Sequence, residues 1–237
     1  MKRKRITIVV GIVLLLVLTA AVVLIGILHK VLYPDALVTG NGACKVICVG
    51  DSITYGQGVL TERKTKSYTA LLSGCLGSKY QVVNYGLCNR TLLSDGDMPY
   101  GEEDFAAESL QSDANIVILM LGTNDSKAAN WDAKKYREEY VQFVQAYLDM
   151  ESQPKVYVMI PPKVFLDGED NGNCNDTIIR EEIAPIITEV AAETGAELID
   201  LYTLTEKHPE WFADGLHPNA EGNREIAKCI CSVLQED

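Results

Sequence analysis

The stretch Val46-Ile47-Cys48-Val49-Gly50-Asp51-Ser52-Ile53-Thr54 sets a run of four apolar residues directly against a Gly-Asp-Ser turn. A short, continuously apolar run that ends in glycine and a polar turn is what a parallel strand covered on both faces looks like. The pattern recurs down the chain. Lys45–Val49, Gln81–Asn84, Asn115–Leu121, Val156–Ile160 and Glu197–Leu201 read as strands, and helical stretches lie between them. Trp131–Met150 places Tyr136, Tyr140, Phe143, Val144 and Tyr147 along one stripe. That spacing predicts a core-facing helix. Thr177–Thr194 carries Ile179, Ile183, Ile186, Ile187 and Val190, with a kink expected at Pro185. Asn219–Leu234 reads as the closing helix.

Strands alternating with helices imply an α/β fold with a parallel sheet and right-handed crossovers. The expectation is a flavodoxin-like three-layer α/β/α sandwich with a five-stranded parallel sheet in the order 2-1-3-4-5. Its ligand site should lie at the carboxyl ends of the strands. The domain occupies 44–237, with no internal repeat and no room for a second domain in 237 residues.

The segment before it reads differently. Met1–Arg5 holds four positive charges, and Ile6 to Leu28 then runs without a charged residue. This predicts a cytoplasmic basic tail at 1–5, a transmembrane signal anchor at 6–28 and a linker at 29–43. The expected localisation is a single-pass protein of the cell membrane, N-terminus cytoplasmic and domain extracytoplasmic. Secretion after signal cleavage is the alternative. Setting aside the five basic residues up to Lys30 leaves 16 Lys and Arg of the 21, against 33 acidic residues, a net charge of −17. Such a domain is repelled by nucleic acid, so no nucleic-acid partner is expected.

The seven cysteines form no C-x-x-C pair and have no histidine at zinc-like spacing, so no metal site is expected. Cys44, Cys48 and Cys75 lie in apolar contexts and read as buried thiols. Cys88 and Cys174 fall in loops expected to flank the site and form the candidate disulfide pair.

Four segments carry chemistry. Ser52 follows the first strand by three residues, and the turn there exposes backbone N–H groups. The second strand leads into Asn84-Tyr85-Gly86, where glycine permits close backbone approach. The third ends in Gly122-Thr123-Asn124-Asp125, and Asn124 offers an uncharged amide donor. Asp214-Gly215-Leu216-His217-Pro218, before the last helix, supplies a carboxylate and an imidazole three residues apart. A serine, a base and an orienting acid are the components of nucleophilic acyl transfer. Singly, each segment is also an ordinary turn or cap.

In order and spacing these four blocks resemble the SGNH (GDSL) hydrolase family, over about Lys45 to Leu234. Pro99-Tyr100, Asn124-Asp125-Ser126-Lys127 and Pro161-Pro162-Lys163-Val164-Phe165 are similar to its carbohydrate-esterase branch. The resemblance implies a serine esterase with Ser52 as nucleophile, His217 as base and Asp214 as its orienting acid. It implies an oxyanion hole of the Ser52 N–H, the Gly86 N–H and the Asn124 side chain, with no cofactor. The implied substrate is an O-acetyl or other short acyl group on an extracellular carbohydrate. The alternatives are a lysophospholipase or thioesterase acting on longer chains, and a non-catalytic glycan-binding surface protein. Arg90, Tyr100 and Phe165 are candidate substrate contacts. Arg90 can equally pair with a surface carboxylate, and Cys88 stands where relatives often carry a small residue.

Overall fold

The computed structural model describes residues 2–32, 34–166 and 173–236, and in its first helix the side chains of 11–26. Two compact units are present, Met1–Asp35 and Ala36–Asp237.

The first unit is the helix Lys2–Leu32. Among the described residues no helix is long and apolar enough to cross a membrane. This overturns the transmembrane anchor expected at 6–28 and the single-pass, membrane-bound localisation built on it. Met1 and the other side chains of the expected basic tail at 1–5 lie outside the described residues.

The second unit is built on six strands: β1 (Leu37–Gly40), β2 (Cys44–Gly50), β3 (Tyr80–Gly86), β4 (Ile116–Met120), β5 (Lys155–Ile160) and β6 (Glu197–Asp200). Their order is β1-β3-β2-β4-β5-β6. The five-stranded, all-parallel expectation is therefore corrected. β1 runs antiparallel to β3, from Leu37↔Asn84 to Gly40↔Gln81, and makes the sheet mixed. It comes from the segment read as a linker. Its alternation of half-buried and exposed residues gives none of the apolar run that marks the central strands.

β2 shows how the layers form. Val46 and Cys48 face one cluster, with Tyr68, Leu72, Ile226 and Ile230, while Ile47 and Val49 face the other, with Tyr136, Tyr140 and Ile183. Period-two alternation thus places helices Tyr68–Leu76 and Ala220–Glu236 on one face. Helices Ala133–Leu148 and Ala184–Thr194 cover the other. The tyrosine stripe packs as core. Tyr136, Tyr140 and Tyr147 are fully buried, and the Tyr136 hydroxyl donates to the Leu121 carbonyl at 2.9 Å. In place of a proline kink, Ile179–Ile183 form a π turn that leads into Ala184–Thr194, with Pro185 in the opening turn. The wider turn relieves the ring clash that proline imposes on the carbonyl four residues back.

Cys75 and Cys231 are disulfide-bonded, joining the two helices on one face, so Cys75 is not a free thiol. Cys88 and Cys174 are unpaired, contrary to the candidate pairing. Cys44 and Cys48 are free, and burial pushes the Cys48 thiol up to about 12.

Candidate active site

β2 lies at the centre of the sheet, between β3 and β4. At its carboxyl end the Asp51 side chain accepts from the Ile53 N–H at 2.9 Å and caps the one-turn helix Ser52–Tyr55. Gly56, at φ +94°, ends that helix. Ser52 is thereby held at the first helical position, where its N–H has no intrahelical partner.

The Ser52 Oγ lies 2.9 Å from the His217 Nε2, and the His217 Nδ1 lies 2.7 Å from the Asp214 Oδ2. Partial burial pushes the Asp214 carboxyl up, but hydrogen bonds from His217 and Leu216 outweigh it, and the net shift is downward. An ionised carboxylate only accepts, so the imidazole proton sits on Nδ1 and Nε2 is left to accept from the serine hydroxyl. The Asp214 Oδ1 also accepts the backbone N–H groups of Leu216 and His217 at 3.0 and 2.7 Å. His217 is buried, whereas the Asp214 side chain is 57% exposed.

Two asparagines that sequence reasoning missed brace this arrangement. Asn84, fully buried at the end of β3, donates to the Thr54 carbonyl at 2.7 Å and the Thr69 hydroxyl at 2.8 Å. It fastens the Ser52 turn to the sheet. Asn223 donates to the Pro218 carbonyl and accepts from the Tyr68 N–H at 2.8 Å, tying the His217 loop to the helix Tyr68–Leu76. The available signal was a lone amide in an apolar stretch, as in Val82-Val83-Asn84. A buried amide needs partners, and here the partners hold the site.

Asn124 is buried, and its amide nitrogen donates to the Arg90 carbonyl at 3.1 Å. One of its two amide hydrogens is left over. Gly86 pairs with Gly50 across the sheet, and its N–H donates to the Asn84 Oδ1 at 2.8 Å. A Cβ at Gly86 would come within 2.2 Å of the Tyr55 nitrogen, so the glycine is required where the Ser52 turn presses on β3. Three residues on, Asn89 is left-handed at φ +67°. Among the described residues, neither the Ser52 nor the Asn89 N–H has a hydrogen-bond partner.

Arg90 and Tyr100 belong to the interior. The Arg90 side chain is 2% exposed, bonds Glu103 through Nε and Nη2 at 3.0 and 2.7 Å, and donates to the Cys88 carbonyl. Tyr100 is fully buried and donates to the Tyr85 carbonyl at 2.8 Å. Phe165 lies beside the histidine loop. Its N–H donates to the Gly215 carbonyl at 2.7 Å, and its ring packs on Phe212.

Two buried carboxylates border the site. Asp51 is fully buried, and its Oδ2 has no partner. Burial raises its carboxyl to about 6. Asp125 accepts the N–H groups of Leu92 and Leu93 at 3.0 and 2.8 Å, and burial raises it to about 7.

The sequence pattern of the GDSL-like Lipase/Acylhydrolase family matches residues 48–225, from β2 into the last helix. This chain belongs to that family. An acetylxylan esterase of Xylanibacter ruminicola is 34% identical over 81% of the chain and 43% of its own length. The chain spans less than half the length of the curated relatives it matches. Among solved structures, an acetyl xylan esterase superposes with a TM-score of 0.62 at 26% identity, covering 80% of this chain and 99% of the other. An aryl esterase of M. smegmatis gives a TM-score of 0.66 at 23% identity over 82% and 99%. At that identity the aryl esterase speaks for the fold alone.

Proposed function

We propose that this GDSL family member hydrolyses carboxylic esters, with Ser52 as nucleophile, His217 as general base and Asp214 as the residue that orients it. The observation that carries this reading is the unbroken line from the Ser52 hydroxyl through His217 to Asp214, at 2.9 and 2.7 Å. The Ser52 Oγ adds to the acyl carbon as its proton passes to the His217 Nε2. Asp214 stabilises the imidazolium. The oxyanion is held by the free Ser52 N–H, the spare amide hydrogen of Asn124 and the free Asn89 N–H. Asn89 takes the place expected of Gly86, whose N–H is engaged with Asn84. His217 then protonates the departing alcohol. Water, deprotonated by His217, releases the carboxylic acid from Ser52.

The acyl group is small, acetyl above all, and its carrier is a carbohydrate. The acetylxylan esterase likeness supports this. A series of p-nitrophenyl esters from acetate to palmitate tests it. Turnover should be highest on acetate, and Ser52→Ala should lower kcat by roughly 10⁴-fold or more. Preference for palmitate would overturn the acyl assignment, and wild-type rates in Ser52→Ala would overturn the nucleophile.

A further inference from the structure

The chain immediately after the Ser52 turn carries charge of the opposite sign to the rest of the domain. Among the 16 Lys and Arg after Asp35, most are ion-paired. Among the described residues only Lys45, Arg63, Lys64 and Lys79 have no acidic partner, and two of these four are neighbours. Arg63 and Lys64 line a cleft of about 410 Å³ together with Tyr55, Leu60 and Thr65. Glu62, the acid on the same wall, is paired with Lys66.

Arg63 is fixed in place. Its Nε donates to the Tyr55 carbonyl at 2.6 Å, and its guanidinium lies 3.9 Å over the Tyr55 ring. Its Nη2 is buried, which leaves Nη1, unbonded and not buried, as the donor on the ligand side. A guanidinium anchored at one edge with a donor left over suits a planar anion. Arg63 therefore offers a donor without having to order a flexible side chain on binding.

The cleft is joined to the Ser52 turn and the histidine loop through Tyr55 and Gly58. Tyr55 closes the one-turn helix that Ser52 opens. Gly58, between Tyr55 and the cleft wall, packs so closely on the histidine loop that a Cβ there would lie 2.2 Å from the Pro218 carbonyl oxygen and 3.1 Å from the His217 carbonyl carbon. A carrier whose ester sits at Ser52 can extend across Tyr55 towards Arg63.

Building on the esterase reading, we propose that this cleft is the carrier subsite and that it selects a carrier bearing a carboxylate, a uronic-acid-substituted glycan. Arg63 is its specificity-determining residue, with Lys64 supporting it. The net charge of −17 would otherwise repel such a carrier, which makes an unpaired local cation pair the feature that admits it.

The test compares an O-acetylated neutral oligosaccharide with the same oligosaccharide carrying one uronic acid. Wild type should favour the acidic substrate by roughly tenfold or more in kcat/KM, the effect of one charge-assisted hydrogen bond. Arg63→Gln should bring the ratio close to one, chiefly through KM. Lys64→Gln, an exposed change that leaves the Tyr55 contact intact, should lower it part of the way. Lys79→Gln removes an unpaired charge elsewhere and should leave both the ratio and the basal rate as in wild type. Calorimetric binding of the deacetylated pair to Ser52→Ala gives a readout that needs no turnover. Equal binding of the two, or a kcat/KM ratio that neither substitution changes, overturns the subsite. Preferential binding of the acidic sugar without turnover of p-nitrophenyl acetate by wild type upholds the subsite and overturns the esterase reading instead.

Discussion

At the residue scale the candidate site sets the hydrogen-bonded line of Ser52, His217 and Asp214 beside a buried carboxyl that does not bond to it. Asp51 caps the Ser52 turn through one oxygen and leaves the other buried without a partner. Burial raises it from 3.8 to about 6. A carboxyl raised on folding holds its proton in the native state at a pH where the unfolded chain has released it. Stability from this group is thus full below about 4 and is lost as pH rises through about 6. The shift corresponds to about 3 kcal/mol. Asp125, raised to about 7, acts with the same sign. Asp214, whose carboxyl is depressed, acts with the opposite one. Asp51→Asn keeps the acceptor for the Ile53 N–H and removes the titration. Urea unfolding at pH 5 and pH 8 should show a shallower fall in stability with pH than in wild type; an unchanged slope would mean that Asp51 is ionised in the fold. Asn124→Ala removes one proposed oxyanion donor and should lower kcat by about 10²–10³-fold, with KM little changed. The hydrogen-bonded line of Ser52, His217 and Asp214 was legible in the sequence, and Asn124 was a candidate beside it, because each belongs to one of four short blocks whose order and spacing carry the signal. What Gly86 does was not legible, because a strand-end glycine can serve a close contact or a donated N–H, and only the packing of Tyr55 and the bond to Asn84 bear on which. Arg90 was open for a related reason: its partner, Glu103, lies thirteen residues away across a loop whose path the sequence does not give.

Elements were legible where burial on both faces writes a continuous apolar run. β2, β4 and β5 have buried cores and fall within a residue or two of the runs that announced them. The π turn before Pro185 was not, because proline in a helical pattern signals a disturbance without saying how the chain relieves it. The disulfide was equally hidden. Seven cysteines permit many pairings, and the one that forms depends on two helices, 156 residues apart in sequence, lying side by side on one face. Closing a loop of that length constrains the unfolded chain by about 5 kcal/mol in the chain-entropy account, and measured losses on removing a native bridge are typically about 2–5 kcal/mol. The double variant Cys75→Ala, Cys231→Ala should therefore unfold at lower urea by an amount in that range. Reductant should shift wild type towards the variant and leave the variant unmoved. A wild-type midpoint indifferent to reductant, with the bridge shown reduced, would count against any stabilising role.

At the scale of the whole molecule, the site depends on neighbouring strands ending together. β2 presents Ser52, β3 leads into the Asn89 turn, and β4 leads into Asn124, so the three candidate oxyanion donors come from adjacent carboxyl ends. β1 lies outside this group, yet it covers the edge of β3 through four paired residues. Uncovered, that edge would present unpaired backbone groups to solvent and to other copies of the chain. Met1–Asp35 and Ala36–Asp237 are separate compact units, and β1 belongs to the second. Two truncations separate their contributions. Removal of 1–35 keeps β1 and should leave both the urea midpoint and p-nitrophenyl acetate turnover of the remaining unit unchanged. Removal of 1–42 deletes β1. Four cross-strand pairs at about 0.2–1 kcal/mol each put the loss at about 1–4 kcal/mol, accompanied by self-association through the bared β3 edge. Urea unfolding and light scattering read the two effects. Equal stability of the two truncated chains, with neither associating, would show that β1 is dispensable and that the five parallel strands alone hold the site in register.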